Sequence, residues 1–214
     1  MVVAIDGPAG SGKGTISKKI SELCNLIYID TGATYRCIAL KVLENNIELN
    51  HKDDIIDIAS KINIKFDLDA KTYIDDIDVS DKIRTMEVTS IVSQVSSIPE
   101  VRSYMVDLQR KMASNNDVIM EGRDITTVVL PNADYKIYLD ANVDVRANRR
   151  YLQNQEKGIE SNLDEIKKSI EMRDYNDMHK EVGSLMRTPE QIYIDSSNMT
   201  IDEVVDEIRK VIGR

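Results

Sequence analysis

Residues 2–15 read VVAIDGPAGSGKGT, and this stretch decides the fold. A short apolar run leads into a glycine-rich segment, after which apolar residues recur at helical spacing, at Ile16, Ile20 and Leu23. When a strand, a glycine loop and a helix follow one another, backbone N–H groups and the positive end of the helix dipole converge on the loop. The stretch therefore predicts a phosphate-binding loop.

The polar residues of this loop indicate a nucleoside triphosphate. Lys13 places a positive charge beside the outer phosphates, and the Thr15 hydroxyl is expected near a Mg²⁺ ion, as a direct ligand or through a water. The alternative is an ordinary glycine turn, which four glycines, a lysine and a threonine in this context disfavour. We predict that the following residues bind ATP: Gly7, Pro8, Ala9, Gly10, Ser11, Gly12, Lys13, Gly14 and Thr15.

Composition disfavours a nucleic-acid-binding protein, a membrane protein and a metal site at the cysteines. The chain has 214 residues and a net charge of −9, which disfavours nonspecific binding to nucleic acid polymers. No apolar run approaches the length of a membrane span, and Met1 leads directly into the first strand, so no targeting segment is expected. Cys24 and Cys37 lack metal-ligand spacing and are interpreted as two buried thiols in a reducing cytoplasm.

Short apolar runs alternate with longer helical patterns, as in a parallel sheet with crossover helices. We predict strands at 2–6, 26–29, 117–120, 135–139 and 191–194, and a final helix that begins with a capping box at Thr200 and Glu203. One region departs from the alternation: residues 62–68, 71–75 and 77–79 are typical of short antiparallel strands within an insert at about 60–85. The predicted fold class is α/β, with a five-stranded parallel sheet, flanking helices and a small β insert.

Several segments then resemble bacterial cytidylate kinases in order and spacing. The loop itself, with Gly14 before Thr15, resembles the form found in nucleoside monophosphate kinases. The other segments are DTGATYR (30–36), SQV (93–95) with a downstream arginine, EGRD (121–124), RANRR (146–150) and RDxxD (173–177). The resemblance implies transfer of a phosphoryl group from ATP to CMP or dCMP with Mg²⁺, in a P-loop NTPase-type fold with a helical lid.

The resemblance also implies a division of the chain and a set of acceptor contacts. It implies one kinase unit over 1–214, with a core (about 1–30, 86–150 and 188–214), a nucleoside-monophosphate-binding lobe (about 31–85) and a lid (about 146–187). The implied CMP-binding residues are Thr31, Arg36, Ser93, Arg102, Arg123, Asp124, Arg173, Asp177 and Lys180.

Within that set, the resemblance assigns individual roles. Arg36 and Thr31 would hold the acceptor phosphate together with Arg123. Ser93 and Arg102 would lie at the cytosine edge, where the carboxylate of Asp124 suits the N4 amino donor. The alternatives are a surface role for Arg36, a helix N-cap for Thr31 and an internal ion pair between Arg123 and Asp124.

The sugar-side residues also have an alternative interpretation. Arg173 and Asp177 would contact sugar and base, but their i, i+4 spacing is equally that of a surface ion pair. The sequence departs from the family pattern at Glu121, where aspartate is usual, at Lys180, where arginine is usual, and at Ser184, where proline is usual. Lys180 keeps the charge but loses the two-pronged geometry of a guanidinium group.

The residues predicted to act in catalysis are mostly arginines, which neutralise charge, and not general acids or bases. Arg146, Arg149 and Arg150 share one side of a helix and predict a lid over the ATP phosphates, with ion pairs to Asp144 and Glu156 as the alternative. Phosphoryl transfer between two phosphates needs charge neutralisation and alignment more than a strong base. The predicted catalytic residues are Lys13, Arg123, Arg146, Arg149 and Arg150.

Two other functions stay open on the sequence alone. One is a kinase for another nucleoside monophosphate, UMP or AMP; uracil would place its O4 acceptor against Asp124. The other is a nucleotide-binding switch, but no Asn-Lys-x-Asp guanine motif occurs in the chain. We expect a cytoplasmic monomer that binds ATP and CMP or dCMP, and neither nucleic acid nor membrane.

Overall fold

The structure is a computed structural model that describes residues 1–67, 69–114 and 116–214. The chain forms two compact units. The first unit consists of Met1–Leu26 and Ile119–Arg214, and the second unit of Ile27–Val118. No helix in the described part of the chain is long and apolar enough to cross a membrane.

The main sheet has five strands and confirms the predicted fold class. The strands are β1 (Val2–Asp6), β2 (Ile27–Asp30), β6 (Val118–Gly122), β7 (Tyr135–Asp140) and β8 (Ile192–Asp195), in the order β2-β6-β1-β7-β8. Parallel pairing places Ile5 beside Ile137, and Ile137 beside Ile192. All five predicted strands are present within two residues of their expected ends. The mostly buried residues of β1 and β6 and the buried middle of β7 are typical of parallel strands that are covered on both faces.

The described residues of the first unit form four α-helices: one follows the glycine loop, two follow β7 and one follows β8. They are α1 (Lys13–Cys24), α6 (Val143–Glu156), α7 (Leu163–Met178) and α8 (Ile201–Ile212). The predicted capping box of α8 is confirmed, because the Thr200 side chain accepts from the Glu203 N–H and the Glu203 side chain accepts from the Thr200 N–H. The buried face of α8 includes Val204, Val205 and Ile208.

The second unit holds the predicted β insert. It consists of β3 (Ile64–Phe66), β4 (Thr72–Ile74) and β5 (Ile77–Asp78), which pair antiparallel in that order. Leu68, the last residue of the first predicted insert strand, lies outside the described residues. The helices of this unit are α2 (Thr31–Glu44), α3 (Lys52–Lys61), α4 (Met86–Ser96) and α5 (Pro99–Ala113).

The insert and the helices of the second unit share one apolar core. Fully buried side chains from α2, α3 and the segment before α4 meet there, among them Ile38, Ile55 and Ile83. Pro99 is the first residue of α5 and separates it from α4, as its missing N–H and fixed φ favour. The core therefore fixes α2, which begins at the carboxyl end of β2.

Candidate active site

The glycine loop joins β1 to α1 in a conformation that only glycine adopts easily. Gly12 precedes α1 with a φ of 97° and has no side chain, so no N-cap side chain accepts a hydrogen bond from the first N–H groups of the helix. Gly7 has a φ of 155°, and a Cβ there would lie 2.0 Å from the Leu139 carbonyl oxygen. The loop is thus built for close backbone approach and for an anion at the helix N-terminus.

Lys13 is the first residue of α1, and its side chain folds back along the loop. Its Nζ donates to the carbonyl oxygens of Gly7 and Pro8, each at 2.8 Å, and the residue is buried. Burial, together with the positive charges of Arg123 and Arg173, lowers the pKa of Lys13 to about 7 against the opposing effect of Glu121. A bound phosphate would supply the counter-charge that favours the ammonium form.

Thr15 and the acidic residues near the loop determine how a metal could bind. Thr15 is exposed on the first turn of α1. Asp6, at the end of β1, is fully buried and accepts from the Ile125 N–H at 2.8 Å and from the Thr126 N–H at 2.9 Å, so both its oxygens are engaged. The described residues contain no cluster of three His, Cys, Asp or Glu side chains suited to a metal ion. This donor set fits a Mg²⁺ ion held mainly by phosphates and water, with one protein hydroxyl.

A second group of charges lies at the end of β6 and on the C-terminal part of α7. Arg123 Nε donates to Asp177 Oδ2 at 2.6 Å, and Lys180 Nζ lies 2.9 Å from Asp177 Oδ1. Burial alone would raise the pKa of Asp177, but Arg123 and Lys180 hold it below the usual value for aspartate. The structure therefore places Asp177 in a buried ion-pair network with Arg123 and Lys180. Asp124 is also buried, and Arg173 is exposed on α7.

The three predicted lid arginines of α6 have different surroundings. Arg146 is buried and donates from Nε to the Ala141 carbonyl and from Nη1 to the Ala9 carbonyl, both at 2.8 Å. Arg149 donates to the Ser196 carbonyl at 2.6 Å, whereas Arg150 is exposed. The anionic partner of Arg146 is Asp174.

The alternative interpretation, in which these arginines pair with Asp144 and Glu156, is wrong for Arg146. Asp144 pairs with Lys167 at 2.5 Å, whereas the carboxylate that faces Arg146 comes from α7 at 2.6 Å. Sequence spacing pointed to acids on the same helix, and tertiary packing supplied one from the next helix.

In the second unit, the start of α2 carries two of the predicted acceptor residues. Thr31 is buried as the first residue of α2, but the N-cap is Asp30, whose side chain accepts from the Ala33 N–H at 3.1 Å. The alternative interpretation of Thr31 as the N-cap is thus wrong. Arg36 Nη1 donates to Thr89 Oγ1 at 2.9 Å, so Arg36 is anchored to α4.

Two further predicted acceptor residues lie on α4 and α5. Ser93 is exposed on α4, and its carbonyl oxygen accepts from the Ser96 hydroxyl at 3.1 Å. Arg102 is buried on α5. A buried arginine is unusual unless polar groups face it, which favours a functional or structural role over a surface one.

The sequence model of the family described as cytidylate kinase matches residues 3–214. The chain belongs to the cytidylate kinase family. Full-length coverage by one family model agrees with the sequence segments that carried the resemblance.

Two curated relatives support the assignment. A cytidylate kinase from Lactobacillus gasseri is 48% identical over 217 residues, covering 100% of this chain and 94% of its own length. A cytidylate kinase from Fusobacterium nucleatum is 47% identical over 214 residues, covering 100% of this chain and 98% of its own. Among solved structures, a shikimate kinase from Bacteroides thetaiotaomicron has a TM-score of 0.51 at 10% identity, covering 100% of this chain and 99% of that one. This last likeness concerns the fold alone.

Sequence reasoning missed two buried carboxylates of this family member. Asp6 holds the backbone that follows Asp124, and Asp174 holds the phosphate-binding loop at Ala9. A polar residue at the end of a buried strand was the available signal for Asp6. For Asp174 the sequence offered only a position beside Arg173, because its partners are 28 and 165 residues away.

Proposed function

We propose that this protein transfers the γ-phosphoryl group of Mg·ATP to CMP or dCMP, giving ADP and CDP or dCDP. Membership of the cytidylate kinase family makes it a phosphotransferase that acts on a nucleoside monophosphate. The observation that carries the proposal is the buried Lys13 beside uncapped helix N–H groups, in the same unit as Arg123 and its paired Asp177.

The donor nucleotide is proposed to bind along the loop from Gly7 to Thr15. Backbone N–H groups would surround the β-phosphate, and Lys13 would turn from the Gly7 and Pro8 carbonyls to the outer phosphates. The Thr15 hydroxyl would hold Mg²⁺, directly or through a water. The metal, when bound, neutralises charge on the phosphate oxygens.

The acceptor phosphate is proposed to meet Arg123 and Arg36. Because Arg123 donates through Nε to Asp177, its outer edge keeps further N–H donors for a phosphate. The family resemblance adds Arg36, which is anchored by Thr89, and the Thr31 hydroxyl as further phosphate donors. A phosphate oxygen of CMP attacks the γ-phosphorus, the bond to the β-γ bridging oxygen breaks, and that electron pair leaves with ADP.

The base and sugar contacts follow the family resemblance. Asp124 would accept from the cytosine amino group, and Ser93 and Arg102 would donate to its other edge. Arg173, Asp177 and Lys180 would lie on the sugar side. Lys180 is bound to Asp177 at 2.9 Å, so the lysine that replaces the family's arginine still reaches this carboxylate.

Charge stabilisation in the transition state is assigned to Lys13, Arg123 and the lid arginines, Arg146, Arg149 and Arg150. No strong general base is required, because the acceptor phosphate is already anionic. We also propose the division into a core, a nucleoside-monophosphate-binding lobe at about 31–85 and a lid at about 146–187. The two free, buried cysteines suit the proposed cytoplasmic location, and we also propose a monomer.

Acceptor profiling tests the proposed substrate. Purified protein with Mg·ATP is given CMP, dCMP, UMP or AMP, and ADP release is measured by a coupled assay. We expect CMP and dCMP to be preferred over UMP, whose O4 acceptor would face Asp124. Equal or better turnover of UMP or AMP would reject the cytosine assignment and favour the alternative monophosphate kinase.

Replacing Lys13 with Met tests the donor site. We expect turnover to fall by orders of magnitude in a folded protein, because the charge beside the outer phosphates is lost. Near-normal turnover in that variant would refute the role. Addition of a chelator to the wild type should abolish turnover as well, since the phosphate charge is then no longer neutralised.

A further inference from the structure

Helix α7 carries a buried carboxylate that touches the phosphate-binding loop. Asp174 Oδ1 accepts a hydrogen bond from the Ala9 N–H at 3.1 Å. The same residue pairs through Oδ2 with Arg146 Nη1 at 2.6 Å, and both side chains are largely buried. A buried carboxylate is costly unless its partners compensate it, and here the Ala9 N–H and the Arg146 guanidinium group do so.

Arg146 contacts the same residue of the loop. Its Nη1 also donates to the Ala9 carbonyl at 2.8 Å, and its Nε donates to the Ala141 carbonyl at 2.8 Å. Gly10 packs against α6, since a Cβ at Gly10 would lie 3.3 Å from Arg146 Cβ. Both backbone polar groups of Ala9 are therefore held by the Asp174–Arg146 pair, immediately before the residues proposed to surround the phosphates.

One turn further along α7, a second carboxylate contacts the arginine proposed to bind the acceptor phosphate. Asp177 lies three residues after Asp174 and accepts from Arg123 Nε at 2.6 Å. Residues at i and i+3 share a helix face. Helix α7 thus contacts the donor loop through one carboxylate and the proposed acceptor arginine through the next.

We propose that Asp174 is a positioning residue of the donor site. It fixes the Ala9 backbone and Arg146, so that the following N–H groups keep the orientation that a triphosphate requires. Together with Asp177, it sets the loop and Arg123 in a fixed register on α7. This inference rests on the proposed binding of ATP to the loop.

The Asp174→Asn variant tests this role. Asparagine keeps the shape and one acceptor oxygen but removes the charge that pairs with Arg146. Since small misplacements of reacting groups are amplified in rate, we expect kcat/KM for ATP to fall on the order of 10²-fold. The Kd for Mg·ADP should rise about tenfold, while the Kd for CMP stays within twofold. The matched control is Glu171→Gln, which removes an exposed carboxylate from the same helix and should change each constant less than twofold.

Amide measurements separate positioning from general destabilisation. In NMR spectra of the wild type, the Ala9 amide should be protected from hydrogen exchange, because it donates to Asp174. In Asp174→Asn its proton resonance should move upfield as a charge-assisted hydrogen bond is lost. The wild-type measurement stands even where the variant fails to fold.

Three results would overturn the role of Asp174. The first is an Ala9 amide that is not protected from exchange in the wild type. The second is a Kd for Mg·ADP and a kcat/KM for ATP that both stay within twofold of wild type in Asp174→Asn. The third is a loss of affinity in Asp174→Asn that is equal for Mg·ADP and for CMP. Failure of the donor-site proposal is recognised separately. In that case Lys13→Met would bind Mg·ADP as tightly as the wild type, whatever Asp174→Asn does.

Discussion

Lys13 shows how one residue links burial to ligand binding. Its ammonium group donates to the carbonyl oxygens of Gly7 and Pro8 and to the Ser11 hydroxyl, and its pKa is lowered to about 7. A bound phosphate favours the charged form and raises that pKa. Nucleotide binding is therefore expected to take up a proton at Lys13 above pH 7.

This coupling predicts a pH dependence of binding. Above the pKa of the free protein, binding competes with loss of the Lys13 proton, so the affinity for Mg·ADP should fall by about fivefold between pH 7 and pH 8. Isothermal titration at several pH values measures it. Lys13→Arg stays charged throughout and should give a flat profile. A flat profile in the wild type would show that Lys13 is fully protonated before binding.

Gly7 is a residue whose identity the sheet imposes. A Cβ there would lie 2.0 Å from the Leu139 carbonyl oxygen of β7, and β7 cannot move away because it is hydrogen-bonded to β1 and β8 on its two sides. We expect Gly7→Ala to lower the free energy of unfolding by about 3 kcal/mol or more. The control is Gly213→Ala, where φ is 70° and no atom lies within 4 Å; its cost should be about 1 kcal/mol. Urea denaturation compares the two, and equal losses would contradict the steric explanation.

At the scale of elements, helix α8 is defined by its own sequence. The hydroxyl of Thr200 and the carboxylate of Glu203 satisfy each other's backbone N–H groups, and the apolar face that follows is buried. Such a helix needs tertiary packing for stability, but its start is fixed locally.

Removal of the cap should therefore have a measurable, limited cost. We expect Thr200→Ala to lower the free energy of unfolding by about 1 kcal/mol, because one N–H of the first turn loses its acceptor. Thr200→Ser keeps the hydroxyl and should stay within a few tenths of a kcal/mol of wild type. If the serine and alanine variants melt alike, the hydroxyl does not cap the helix.

At the scale of the whole molecule, two ligands should stabilise the protein through different residues. A ligand that binds only the folded state adds about 2.7 kcal/mol at a hundred times its Kd. We expect Mg·ADP and CMP each to raise the melting temperature. Lys13→Met should lose the shift with Mg·ADP and keep that with CMP, and Arg36→Met should do the reverse. Each rise in melting temperature is measured relative to the same variant without ligand. A variant that loses the rise with both ligands would contradict the separate donor and acceptor roles.

The fold was largely predictable because its signals are local. The apolar run before Gly7, the alternation in the β insert and the capping box at Thr200 each act within a few residues. Strand ends differed by at most two residues from expectation, since hydrogen bonding between strands sets where pairing stops.

The candidate site was predictable only in part. The loop and its lysine stand out by composition. The partners of Arg146 and Arg123 come from α7, far along the chain, and i, i+4 patterns gave no indication of them. The N-cap of α2 is Asp30 and not Thr31, because the backbone geometry at the strand end turns the aspartate side chain towards the Ala33 N–H.

The sequence by itself determined the phosphate-binding loop, the order of strands and helices along the chain, and the family. Short-range periodicity, glycine content and the spacing of polar residues are sufficient for these. Only the tertiary structure decided which carboxylate faces which arginine and how far Lys13 is desolvated. Those properties depend on burial and on contacts between residues distant in the chain, and a charge in a buried site is set by all the groups that surround it.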